Sequence, residues 1–154
     1  MIVGILFWLL ALLSCLYAIV QGGRDGRWAA MMIIAASVLT VPAAQMGRAW
    51  GELETARLAV DIGLLLGFYT LMLRSRRYWP IWMTGFHLIA VVTHLSVIIA
   101  PGFTPHIYRA LQSFWAIPVL LALLAGVEMD RRAEARNGLG SLGSRNEPAV
   151  PRRG

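Results

Sequence analysis

Residues 77–103 read RYWPIWMTGFHLIAVVTHLSVIIAPGF, and the fold turns on what this stretch is. From Tyr78 to Ala100 it is almost unbroken apolar sequence. At about 1.5 Å per helical residue that run crosses a bilayer core of roughly 30 Å, so it reads as a membrane-spanning helix. Two histidines lie inside it, His87 near the middle and His94 nearer one end. Seven residues separate them, close to two helical turns, so both rings project from the same side. A lone polar stripe on a helix in lipid marks a site or an interhelical contact.

Composition supports the membrane reading. The chain has 154 residues, 58% hydrophobic and 14% charged, with a mean hydropathy of +0.63. A soluble domain carries about a quarter charged residues. The net charge is +6, and all 14 basic residues are arginine. Absence of lysine with abundant alanine and glycine points to a GC-rich genome and hence a bacterium. The arginines sit in short loops and a tail between apolar runs, which argues for membrane orientation and against a nucleic-acid partner. Cys15 is the only cysteine, which excludes an intrachain disulfide or a multi-cysteine metal site. Leu12-Leu13-Ser14-Cys15 loosely matches a lipoprotein signal. However, Leu13 is bulky, no basic residue precedes it and the apolar run continues, so a plain helix-buried thiol is the expectation.

Working outward, four further apolar runs flank this one, giving five spans at about 2–20, 28–46, 55–73, 78–100 and 105–126. Gln21 to Arg27, with three glycines, reads as the first connection. Pro42 falls near the end of the second span. Arg74-Ser75-Arg76-Arg77 forms a basic turn followed by the anchors Tyr78, Trp79 and Trp82. Pro80 suits the first turn of its helix. Thr104-Pro105 caps and starts the fifth helix, which carries Pro118 and is expected to continue in water to about Arg136. The remaining residues, 137–154, rich in glycine, serine, proline and arginine, read as a disordered tail.

The RYWPIWMTGFHLIAVVTHL segment and the five-span plan resemble small uncharacterised multi-spanning proteins of bacterial inner membranes. That resemblance implies a membrane location and carries no activity over to this chain.

Five spans place the termini on opposite sides. With the N-terminus outside, the cytoplasmic segments collect Arg24, Arg27, Arg74, Arg76, Arg77, Arg131, Arg132, Arg136, Arg145, Arg152 and Arg153, while Arg48, Arg57 and Arg109 lie outside. The positive-inside rule therefore gives an all-α five-span bundle, N-out and C-in, with the N-terminus periplasmic and the tail cytoplasmic.

Depth then gathers scattered residues. Gln45 ends the second span at the outer surface and Asp61 starts the third there. His94 lies roughly 9 Å below that surface by helix rise, and His106, Arg109 and Gln112 open the fifth span at the same level. A polar cluster facing the outer side follows, with Asp61, His94, Arg109 and Gln112 at its core, Gln45 and His106 beside it and His87 deeper. Asp61 is either an interfacial carboxylate neutralised by Arg57 one turn away or a functional one. On the opposite face of the same helix, Ala59, Gly63 and Gly67 form a small-xxx-small stripe for close helix packing.

Three functions are compatible with such a cluster. An accessory or scaffold subunit, glued by its polar contacts and bound to a membrane partner or to a second copy, is the leading expectation. Proton or small-ligand movement through Asp61 and His94 is the alternative. Binding of b-type haem is the second alternative, which needs histidines on facing helices and has only His106 to offer opposite His94. Otherwise no cofactor or metal is expected. No HExxH, GxSxG or phosphate-loop pattern occurs, so no catalytic residue is assigned.

Overall fold

The computed structural model describes the backbone of residues 2–50, 53–99 and 105–145, with side chains described over 5–40, 42, 55–96, 99 and 114–136. It is all-α, with five helices and no strand among the described residues: α1 Ile2–Gln21, α2 Gly23–Trp50, α3 Leu53–Arg74, α4 Trp79–Ile99 and α5 Pro105–Arg145. Each helix packs on the next in sequence, and α5 returns to α1, closing a ring. Short connections make neighbours antiparallel.

The helix ends differ most from the sequence expectation at two places. The connection expected over Gln21 to Arg27 contracts to a break at Gly22, because Gly23 takes a left-handed φ of 57° and α2 starts there. Only glycine enters that region without steric cost. Gly22 and Gly26 lie against the Ala18 carbonyl and Val127, so the turn nests against α5. At the other end of the chain, α5 continues to Arg145, beyond the expected stop at Asn137-Gly138. The good helix formers of Ala133-Glu134-Ala135-Arg136 precede that point, and propagation costs less than nucleation.

The packed core occupies one half of the bundle. Cys15, Ala18, Ala29, Ala30, Phe68, Leu71, Trp79, Met83, Leu123 and Val127 fill it, with Val119 at its margin. These residues lie near the α1–α2 and α3–α4 turns, where most of the described arginines are also found. We call this the arginine end.

The outside of the ring is apolar. Leu6, Leu13, Val38, Leu73 and Met129 are each 59–68% exposed. The exposed charged residues among those described all belong to the arginine end: Arg24, Arg27, Arg74, Arg76 and the run from Arg131 to Arg136. Buried hydroxyls are satisfied by their own helix, Ser14 donating to the Leu10 carbonyl at 2.7 Å and Thr84 to that of Pro80 at 2.8 Å. That is the economical solution where water is not at hand. Among the described residues, Thr55–Arg74 is the one helix long and apolar enough to cross a membrane, and Ile5–Gln21 is a shorter apolar helix.

Candidate functional site

The site is built where α3 meets α4. The α3 periodicity sends Asp61 toward α4 and the small residues toward α2. Across that interface His94 Nε2 stands 3.1 Å from Asp61 Oδ2. One contact further down, His87 Nε2 lies 3.1 Å from the backbone carbonyl oxygen of Asp61. A carbonyl only accepts, so His87 donates from Nε2 and its tautomer is fixed. The two-turn spacing thus brings both rings to one residue of the facing helix, His94 to its carboxylate and His87 to its backbone. Phe68 braces His87 edge-on, with centroids 5.4 Å apart and planes at 78°.

Beside this contact lies a cavity of about 470 Å³ that all five helices line. Its polar wall is Arg57, Asp61 and His87, with Ser37 and Thr40 opposite. Phe7 and Trp8 of α1 and Ala116 and Leu120 of α5 complete an apolar remainder. The Ser37 and Thr40 hydroxyls donate to the carbonyls of Ile33 and Ala36 at 2.8 Å each, which leaves their lone pairs for another donor. Asp61 is 27% exposed and His94 11%, so the carboxylate is the member that reaches the open space.

Among the described residues, two buried ring nitrogens find no hydrogen-bond partner, His94 Nδ1 and, on α5, Trp115 Nε1. With Nε2 engaged by the carboxylate, a neutral His94 carries its proton on Nε2 and leaves Nδ1 as an acceptor; a second proton would sit on Nδ1. The pair can therefore hold one proton or two. Among the described residues no three metal-ligating side chains converge on a common point.

The side chains of Gln45, His106, Arg109 and Gln112 fall outside the described residues. The structure brings Asp61 together with His94 and His87 and sets Arg57 on the same wall. The small stripe of α3 borders a separate cleft of about 520 Å³ against Met32, Ala35, Ala36 and Leu39 of α2. Within it only Gly67 is a close approach, since a Cβ there would come within 2.6 Å of Met32 Sδ. A Cβ on Gly63 would meet nothing.

Sequence reasoning missed the network at the arginine end. Asp130 accepts from Arg77 at 2.7 Å and from the Trp79 indole at 3.0 Å. Tyr17 donates to Glu128 at 2.6 Å, tying α1 to α5. Ser75 donates to Asp25 at 2.6 Å, tying the α3–α4 turn to α2. Arg131, Tyr17 and Arg132 together hold the Glu128 carboxyl well below the ordinary carboxylate range, and the same contact raises the Arg131 guanidinium. The available signal was that every acid near this end stands among arginines.

Comparison with protein families, curated proteins and solved structures finds no match to this chain.

Proposed function

We propose that the chain is a five-span protein of the bacterial inner membrane, N-terminus periplasmic and C-terminus cytoplasmic, that binds a small ligand in the cavity beside Asp61. The membrane part of this reading is supported by the apolar exterior of the ring. A water-soluble monomer rarely exposes an apolar patch beyond a few hundred Å². The orientation is supported by the placement of eleven of the 14 arginines on one side of a five-span topology.

The observation that carries the site reading is the position of Asp61. A cluster serving only as glue would close over its polar atoms. Here the carboxylate is paired with His94 and is still partly exposed, beside a cavity shared by every helix. The ligand class follows from the walls: a small, largely apolar molecule with one hydrogen-bond-donating group, an alkylamine being the simplest. A cationic group entering beside Asp61 would compete with His94 for the carboxylate.

The accessory-subunit reading is favoured by a different observation, the contacts of both His87 and His94 with one residue of the facing helix, Asp61. The haem reading draws no support from the described histidines, because both rings are directed at one residue of α3.

Photolabelling separates these readings. The full chain, reconstituted in phosphatidylcholine nanodiscs, is irradiated with a diazirine-bearing alkylamine and its labelled peptides are mapped. The expected result is adducts on the cavity walls near Trp8 and Leu120, reduced at least tenfold in Asp61→Asn. Adducts confined to outward-facing residues such as Leu13 and Met129, unchanged in that variant, would return the cluster to a packing role.

A further inference from the structure

We infer that the groove between α4 and α5 at the arginine end is a binding site for an anionic phospholipid, with an acyl chain along α5 and the phosphate on Arg76. The inference rests on the membrane reading above and is independent of the cavity at Asp61.

The groove encloses about 740 Å³. Its floor is a run of small residues, Ala122, Ala125 and Gly126, below Pro118. From Pro118 to Gly126 the helix rises about 12 Å, enough to seat much of an acyl chain. Its walls are aromatic and aliphatic and open outward: Trp82 is 64% exposed, Leu121 52% and Met129 68%. Trp82 leans on Phe86 with ring centroids 6.4 Å apart, and together they form the α4 wall. In a bilayer these surfaces face lipid, so the natural occupant of the trough is a hydrocarbon chain.

The charge at the mouth selects the headgroup. Three ionic residues line it, Arg76, Arg77 and Asp130. Arg77 is taken up by Asp130 at 2.7 Å and Glu134 at 3.5 Å, and the second Asp130 oxygen is taken by the Trp79 indole. Arg76 is exposed and makes no hydrogen bond or ion pair among the described residues. The mouth therefore presents one uncompensated guanidinium, whose planar fork suits a phosphate. Exposed Tyr78 and Trp82 flank it at the depth where aromatic rings sit among headgroups. An unpaired guanidinium over an apolar trough matches a lipid whose headgroup exposes an uncompensated phosphate, and discriminates against a zwitterionic one.

The test uses the full chain in nanodiscs of equal phosphatidylglycerol and phosphatidylcholine, released into the gas phase for native mass spectrometry. Wild type is expected to retain phosphatidylglycerol over phosphatidylcholine. Arg76→Gln should reduce that preference about fivefold, the worth of one interfacial arginine. Arg74→Gln, in the same basic turn but outside the groove, should leave it unchanged. Ala122→Phe, which fills the floor, should reduce retention of both lipids. Equal losses in the Arg74 and Arg76 variants would reduce the effect to diffuse charge and overturn the site. A lipid-free dimer would overturn it too, by giving the groove to a second copy. A chain that does not insert into nanodiscs at all would instead overturn the membrane reading on which the site depends.

Discussion

The two halves of the bundle are built differently. At the arginine end, Phe68, Met83, Leu123 and Val127 are at most 1% exposed, and the polar groups above them close on one another, Tyr17 on Glu128, Ser75 on Asp25, Arg77 and Trp79 on Asp130. In the other half the helices surround a cavity with Asp61 on its wall, and the Asp61 partner His94 retains a buried nitrogen with no hydrogen-bond partner among the described residues. Well-satisfied networks fix a structure, whereas partly satisfied ones leave valence for something else. On the proposed reading the arginine end holds the fold together and the Asp61 end binds the ligand.

The strongest way to break this division is to exchange the expected costs. Trp79 is 6% exposed, packs directly over Gly126 and donates to Asp130. Trp79→Ala should therefore destabilise the fold by about 3–5 kcal/mol, measured by unfolding in mixed micelles. Asp61→Asn should change the same measurement by under about 1 kcal/mol, the usual scale of a polar contact between helices in lipid. Equal costs would mean that the two halves do the same work.

The α2–α3 seam sharpens the comparison at smaller amplitude. Gly67→Ala brings a methyl group against Met32 Sδ and should cost about 1 kcal/mol, Met32 being flexible enough to yield part of the space. Gly63→Ala meets nothing and should be neutral or stabilising by up to about 1 kcal/mol through helix propensity. The same unfolding assay reads both. If the two substitutions cost the same, the small stripe packs along its whole length.

The smallest effect is electrostatic. Arg131, Tyr17 and Arg132 depress the folded-state pKa of Glu128 below its ordinary value of 4.5. In the window between these two values the unfolded chain binds the proton and the folded chain does not, so stability rises with pH. The contribution is complete above 4.5 and is lost as pH falls through the depressed value. Wild type should accordingly exceed Glu128→Gln in unfolding midpoint at neutral pH, with the gap narrowing below pH 4.5. A pH-independent gap would assign the difference to packing of Tyr17.

Much of this contrast was legible in the sequence, though unevenly. The juxtaposition of Asp61 and His94 follows from helix rise and the register of two antiparallel helices, which can be read one residue at a time. His87 on the Asp61 carbonyl was not legible, because a backbone acceptor leaves no trace in residue identity. Glu128 with Arg131 and Arg132 follows from spacings of three and four on one helix. Arg77 with Asp130 depends on how α4 lies against α5, which no local pattern specifies. The cavity was not legible either: small and large residues line both packed and open regions, and only the helix arrangement decides between them. The start of α2 at Gly23 was obscured by three glycines, each a plausible break.

The most direct test of the account is ¹⁵N NMR of the histidine rings in the full chain reconstituted in bilayers, repeated with Asp61→Asn. An Asp61–His94 pair predicts a His94 Nε2–H resonance that moves in the variant, while His87, held on a backbone carbonyl, keeps its Nε2–H form. His94 ring resonances identical in wild type and Asp61→Asn would contradict the account.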